Sequence, residues 1–580
     1  MLTEELIYMN KNLSIIFRKG FLIVLCLGMF SSCKDTFDLD PKDALESTQV
    51  YRNVYDADAA VLGIYGKFVG LADRYVLLNE LRADLLDVTP NANTYLRQLS
   101  THNVVEENPY TDPQPFYEVI INCNDVLKNF DIMREKKLLD YTQYYQRYTD
   151  ILFLRSWLYL QLGIHYGTIP YVTDPLDNVN DIKDEAKFPR IAFNELLTRL
   201  IEATEATPKE FLNQNTASSS PTLIMPINTY PIKDGVFKFF IHRRSLLGDL
   251  HLWNGDYLIA ASYYKDVMET ATNLTETTSQ TIDIYDTYRV SDDNSTDHSL
   301  KTTAVINPWS KIFSAPLAER IPNWERMWTL PLDKSYAPRN PFIDLFSISG
   351  NYLVKPSVLS INNWDNQIRT DGGLTDRRGF GSSYTLNGDQ PEVLKYVQNY
   401  NVLTPFEVTG VWTLYRAAIL HLRFAEAANR LGRSQLAGAL INDGITAVFG
   451  TKSTYNGVAD SYPFNFDGTN SSSFRGDWYR NKGIRGRGVN RNVVFDQNNL
   501  TLDAEDKIID EEGLEAAYEG YRWADLLRIA LRREANGEQG KQFLRDKIAA
   551  KFEHAGVAVP AGVEKLALDT QSWYLPFKWK

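Results

Sequence analysis

Three kinds of residue in this chain are reactive enough to suggest chemistry: cysteine, histidine and clustered carboxylates. The cysteines are Cys26, Cys33 and Cys123, and the seven histidines are His102, His165, His242, His251, His298, His421 and His554. No Cys/His spacing among them suits a tetrahedral zinc site, and three cysteines allow one disulfide at most. Glu519, Arg522 and Asp525 follow one another at intervals of three. That interval places them on one helix face, where they can pair. Arg423 and Glu426 repeat the pattern. Hydrolysis of a glycosidic bond requires two carboxyl groups flanking it, and no signature marks such a pair among the 73 acidic residues. The expectation is a structural ion-pair cluster and no catalytic residue. Gly483-Ile-Arg-Gly-Arg-Gly488 is glycine-rich. It lacks the Gly-Lys-Ser/Thr ending of a phosphate-binding loop and is not the dinucleotide fingerprint. It reads as a packed turn, or as an arginine patch facing a partner or an anionic glycan.

Cys33 has a separate context. Lys11, Arg18 and Lys19 precede an apolar run, Phe21 to Phe30, which ends in Ser31-Ser32-Cys33. A basic stretch, a short apolar stretch and small residues before a cysteine resemble a bacterial lipoprotein signal. In that reading the chain is cleaved before Cys33, which then carries the lipid, and Cys123 is left as a free thiol. The run is well short of the ~20 apolar residues that span a bilayer. The plainer alternative is a buried amphipathic N-terminal helix of a soluble protein. The expected organisation is a signal peptide at 1–32, a lipidated cysteine and polar tether at 33–55, a helical part at 56–275, and a part with loop insertions at 276–580. The last two belong to the same compact body.

The body has the composition of a globular protein, with 44% hydrophobic and 23% charged residues. Its net charge of −12 argues against nucleic acid, because a phosphate-backbone binder needs a basic face. Apolar residues recur at helical spacing over 56–68, 116–130, 148–166 and 191–206. Residues 236–268 predict a helix to Leu252, a turn at Trp253-Asn-Gly-Asp-Tyr257, and a second helix with Ala260, Ala261 and Tyr264 inward. This pair resembles the tetratricopeptide (TPR) pattern. A similar pair begins at Trp412, runs through Ala425-Glu-Ala-Ala428, and continues into 434–448. Residues 271–410 and 449–505 are polar, with short apolar pieces, and should hold a few strands. The fold class is therefore all-α, a TPR-like scaffold of helical pairs with long loop insertions. Such loops are where function is carried. Trp157, Trp253, Trp412 and Trp523 lie in helical patterns and are assigned to the core. Trp309, Trp324, Trp364 and Trp478 lie in the polar loops and are candidates to stack on a ligand.

The motifs in order resemble the SusD/RagB family of surface lipoproteins of Bacteroidota. The stretches that carry the resemblance are Ile121-Asn-Cys-Asn-Asp-Val-Leu127, Leu154-Arg-Ser-Trp-Leu with Tyr166-Gly-Thr-Ile-Pro170, the Trp253–Tyr257 turn, Leu414-Tyr-Arg through Ala425-Glu-Ala-Ala-Asn429, Glu512 to Arg528, and Trp573-Tyr-Leu-Pro576. The resemblance implies a glycan-binding lipoprotein of the outer membrane, exposed at the cell surface. It would capture an oligosaccharide and close as a lid over a SusC-like TonB-dependent transporter. It implies a binding protein, not an enzyme, and no cofactor; nothing in the sequence signals a structural calcium. By position in the family, the loop Thr89-Pro-Asn-Ala-Asn-Thr-Tyr95 faces ligand. This adds Tyr95 and Asn93, with Arg74 and Tyr75 after the first helix, to the candidates. Two other readings stay open: peptide capture, as the RagB branch implies, and a surface glycoside hydrolase.

Overall fold

Asn53 opens the described helices by accepting the backbone N–H of Tyr55 (2.9 Å) and Asp56 with its side chain. An Asn at this position satisfies donors that the first turn leaves free. The computed structural model describes residues 50–176, 178–212, 236–269, 309–314, 325–332, 339–407, 410–452, 454–466 and 482–579. Cys33, Trp324 and Trp478 therefore lie outside the described residues, as do all of 270–308.

The longer helices are α1 (Val54–Val69), α2 (Thr94–Thr101), α3 (Gln114–Glu135), α4 (Tyr141–Tyr166), α5 (Phe193–Glu205), α6 (Arg243–Asn254), α7 (Tyr257–Glu269), α8 (Val358–Asp365), α9 (Ala417–Arg430), α10 (Ser434–Ile441), α11 (Leu500–Glu515), α12 (Arg522–Ala535) and α13 (Gly540–His554). Neighbours in the order α3, α4, α5, α6, α7, α9, α10 pack one on the next, and α11 joins α9 and α10. Residues 53–580 form one compact unit. The strands are short and paired in twos. β1 (Leu86–Val88) pairs antiparallel with β5 (Val354–Pro356), β2 (Thr168–Pro170) with β3 (Arg190–Ala192), and β4 (Arg326–Pro331) with β8 (Val411–Arg416). β6 (Tyr384–Asn387) and β7 (Gln390–Val393) form a hairpin. The all-α class holds; β4 to β7 lie in the polar insertion 271–410 as expected, whereas β1, β2, β3 and β8 lie outside it.

The α6–α7 pair shows why its sequence pattern is specific. Gly255 ends α6 in the left-handed region (φ 85°), which glycine adopts without a steric cost. Ala260, Ala261 and Tyr264 of α7 are fully buried. A Cβ at Gly248 would overlap the Tyr264 ring, so the missing side chain lets the helices approach. The Tyr264 hydroxyl donates to Asp249 at 2.7 Å.

The second pair differs from expectation at its start. Val411 to Arg416 is a strand, not helix, and α9 begins at Ala417. Val-Trp-Thr-Leu-Tyr is β-branched and aromatic, and every residue of the strand is buried against β4. The expected helix 434–448 also breaks, because Gly444 adopts φ 87° between α10 and a short helix Ile445–Phe449. The core joins these parts through aromatics. Phe68 of α1 stacks on Trp328 (5.6 Å between centroids) and Trp412 (5.2 Å), and meets Trp157 edge-on (5.3 Å).

Candidate functional site

The residues that looked most chemical form a buried charge lattice. Glu519 accepts from Lys395 (2.6 Å) and Arg416 (2.7 Å). Arg522 donates to both carboxylate oxygens of Asp84 at 2.7 Å. Asp525 pairs with Arg528 (2.5 Å) and Arg423 (3.4 Å). The expected ion-pair cluster is present, but Glu519, Arg522 and Asp525 do not pair with one another. Glu519 lies in the turn before α12, so its carboxylate points to other elements. Glu426 pairs with Arg528 and Arg532, and Arg423 with Asp249. Glu515 meets Arg416 (2.6 Å), Arg487 (2.9 Å) and Arg378 (2.8 Å). Burial pushes its carboxyl up, but these guanidiniums prevail and hold it well below the usual carboxylate range. Burial outweighs Glu519 at Lys395 and pushes the ammonium down to about 8.

The glycine-rich run belongs to the same lattice. Arg487 is fully buried against Glu325 and Glu515, and Arg485 pairs with Glu511 at 2.7 Å. Gly483–Gly488 is thus a packed turn. Arg485 and Arg487 are spent on internal carboxylates, so they form no patch for a partner or an anionic glycan. Among the described residues, no group of three or more His, Cys, Asp or Glu is arranged to hold a metal ion.

Two of the loop tryptophans are also interior. Trp309 is fully buried, and its indole N–H donates to Glu515 at 3.0 Å. Trp364 is fully buried, donates to the Leu514 carbonyl at 3.0 Å, and stacks on Tyr384. Neither ring presents a face to solvent, which corrects their assignment to ligand. Polar flanking sequence does not report this burial: both indoles bond the end of α11, at Glu515 and Leu514. Tyr75 is buried as well, at 5.1 Å from Trp157 and 5.9 Å from Trp412 between centroids. It is a core residue.

The remaining candidates converge on one surface. Tyr95, in the first turn of α2, keeps 37% of its area exposed. Asn93 is exposed and caps α2 by accepting the Leu96 N–H at 2.9 Å. Beside it stands Tyr110, a half-buried ring that sequence reasoning missed, whose backbone N–H and the Tyr95 carbonyl are both held by the Asn108 side chain. Tyr110 lies in the short Pro109–Thr111 turn, which shows no periodicity to mark it. Arg74 is half-buried and donates to the carbonyls of Pro109 (3.1 Å), Tyr110 (2.8 Å) and Asp112 (3.3 Å). It holds the Tyr110 turn in place from beneath.

The loop carrying Asn93 and Tyr95 is equally constrained. Arg97 donates to the carbonyls of Thr89 (3.0 Å) and Pro90 (2.9 Å). The β1–β5 pairing and Asn91 on Asn351 tie the other side (3.1 Å). The surface therefore presents two phenol rings and a planar amide in fixed positions. A ring face packs on the apolar face of a sugar while amide and phenol groups bond its hydroxyls. Such pre-ordering lowers the entropic cost of binding.

Comparison with known proteins addresses the fold. No protein-family model matches the chain, and no curated protein matches it in sequence. Solved structures do. A SusD superfamily protein from Bacteroides vulgatus superposes with a TM-score of 0.57 at 14% identity, covering 89% of this chain and 97% of that one. A SusD superfamily protein from Bacteroides thetaiotaomicron gives 0.54 at 17% identity, over 90% and 98%. A SusD-like carbohydrate-binding protein from Bacteroides fragilis gives 0.55 at 13% identity, over 84% and 88%. The motif order and the architecture agree: along nearly its whole length, this chain has the fold of the SusD superfamily.

Proposed function

We propose that the protein is a cell-surface glycan-binding lipoprotein, anchored in the outer membrane through Cys33. It captures an oligosaccharide and passes it to a SusC-like TonB-dependent transporter, over which it closes. The observation that carries this reading is the superposition on a SusD-like carbohydrate-binding protein across 84% of the chain. The Tyr95–Asn93–Tyr110 surface supports it, because its groups suit a sugar ring and Arg97 and Arg74 hold their loops before ligand arrives. No helix among the described residues is long and apolar enough to cross a membrane.

Three acids of the buried charge lattice are not placed for hydrolysis. Glu515, Glu519 and Asp525 lie buried in ion pairs, so none is open to flank a scissile bond as a hydrolase requires. Immobilised protein probed with a panel of neutral and acidic glycans, alongside peptides, tests the proposal. Retention of at least one glycan without product supports it. Retention of peptides alone, or release of shortened glycan, overturns it.

A further inference from the structure

A second surface pocket, of about 520 Å³, opens where the end of α4, the start of α5, the α6–α7 turn and α12 meet. It shares no residue with the Tyr95 surface. Its volume falls within the ~300–1,000 Å³ typical of small-molecule sites. Trp253 stands at the end of α6, half-buried rather than in the core to which its helical pattern assigns it. Its ring meets Phe193 edge-on at 5.4 Å. Tyr257, at the start of α7, and Tyr574 are also half-buried and line the pocket. Tyr574 is held close because a Cβ at Gly167, which ends α4 at φ 71°, would come within 3.0 Å of its ring.

The polar groups around these rings are unspent. Among the described residues, the Trp253 indole N–H, the Tyr257 and Tyr574 hydroxyls, and the side-chain amides of Asn194, Asn536 and Gln571 make no hydrogen bond. Half-buried phenols and an indole ordinarily find a partner. Here several face one cavity together.

The charges select the ligand. Arg528 and Arg532 reach the pocket, with guanidiniums 5.5 Å from the Trp253 ring and 5.6 Å from the Tyr257 ring. Both are already compensated. Arg528 faces Glu426 (2.6 Å) and Asp525 (2.5 Å), and Arg532 faces Glu426 (2.8 Å) and Glu505. Both guanidiniums that line the pocket therefore face carboxylates, which leaves little net charge to favour an anion. Flat apolar faces, planar amides, free hydroxyls and balanced charge together suit a neutral sugar.

We infer that this pocket is a second saccharide-binding site, taking one or two neutral sugar units, separate from the Tyr95 surface. The inference rests on the glycan-binding reading but on different side chains. Its test is calorimetric titration of the full chain in detergent with the neutral oligosaccharides that bind it. The titration is repeated on Tyr95→Ala, on the Asn536→Ala/Gln571→Ala double variant, and on the conservative Tyr574→Phe. The expected result is two sites per chain. The double variant removes one site or weakens it about tenfold or more, Tyr574→Phe weakens it several-fold, and Tyr95→Ala leaves it intact. Asn536 and Gln571 are exposed, so the double variant folds normally. Wild-type stoichiometry and affinity in the double variant overturn this site while leaving the proposed function standing. So does complete loss of binding in Tyr95→Ala. If the double variant alone abolishes binding and Tyr95→Ala has no effect, this pocket stands and the Tyr95 surface falls. If no neutral saccharide binds the wild type, this site falls, and the proposed function falls with it only when no acidic glycan binds either.

Discussion

The Glu80 carboxylate accepts the backbone N–H of Gly520 at 2.7 Å, from a position 440 residues earlier in the chain. The amides of Tyr518 and Tyr521 point at the same carboxylate, each at 3.0 Å. Glu80 thus receives the N–H groups of the turn that leads into α12 and pins it to the N-terminal part.

Glu80 should impose a pH dependence. Burial pushes its carboxyl up from 4.5 to about 7, against the amide bonds that lower it. An acid raised in the folded state contributes stability that is full below its unfolded value and is lost as pH rises through its folded value. In Glu80→Gln, an NH₂ group turns against backbone N–H donors, at a cost of about 1–3 kcal/mol. Thermal unfolding of both proteins from pH 4.5 to 8 checks this. Wild-type stability should fall relative to the variant across that window, and parallel profiles would refute the assignment.

Gly520 itself should tolerate no side chain. Its φ is 93°, and a Cβ there would overlap the Tyr75 ring. Gly520→Ala should destabilise by more than about 1 kcal/mol, read from urea denaturation midpoints. A neutral result would mean that the Tyr75–Gly520 contact is not close.

The charge lattice predicts a larger effect. Arg416 serves Glu519 (2.7 Å), Glu515 (2.6 Å) and Glu325 (3.1 Å), all buried. Arg416→Met removes one cation from each of these carboxylates, leaving Lys395, Arg378 and Arg487 to serve all three, and should cost about 3–5 kcal/mol. Because Glu515 is held below its ordinary range, its contribution is present above the unfolded carboxylate value and is lost in acid. Denaturation of Arg416→Met at pH 7 measures the first effect, and the wild-type acid transition measures the second.

Helix pairing was legible in the residues, because α6 and α7 carry both an apolar period and a turn signature. The strand at Val411–Arg416 was hidden, since its partners on β4 lie 80 to 90 residues away and pairing at that range leaves no local mark. The candidate site was half legible. Tyr95 and Asn93 stand on one exposed surface, whereas Trp309 and Trp364 are interior. Local polarity reports the flanking chain, not what folds over it. Trp253 erred the other way: at the last turn of a helix, a residue in phase with the core still reaches the surface.

Trp309 and Tyr95 should therefore separate stability from binding. Trp309→Ala should cost about 3–5 kcal/mol and leave glycan affinity unchanged in the folded fraction. Tyr95→Ala should leave the melting temperature nearly unchanged and weaken glycan binding. Scanning calorimetry paired with affinity measurement on each variant reads both quantities. The opposite pattern would return Trp309 to the ligand surface.

Attachment is tested separately. Cys33→Ala should move the protein from the membrane to the soluble fraction of cells. Retention in the membrane would contradict lipid anchoring at this cysteine.

The central claim, that the Tyr95–Asn93–Tyr110 surface serves a carbohydrate-binding protein, is tested most directly by one titration series. Purified wild-type protein and Tyr95→Ala are titrated with oligosaccharides of defined composition while the solution is sampled for shortened products. Saturable wild-type binding, at least tenfold weaker at one site in the variant and with the glycan recovered intact, is the predicted result. Equal affinities in the two proteins, or any accumulation of shortened glycan, would contradict it.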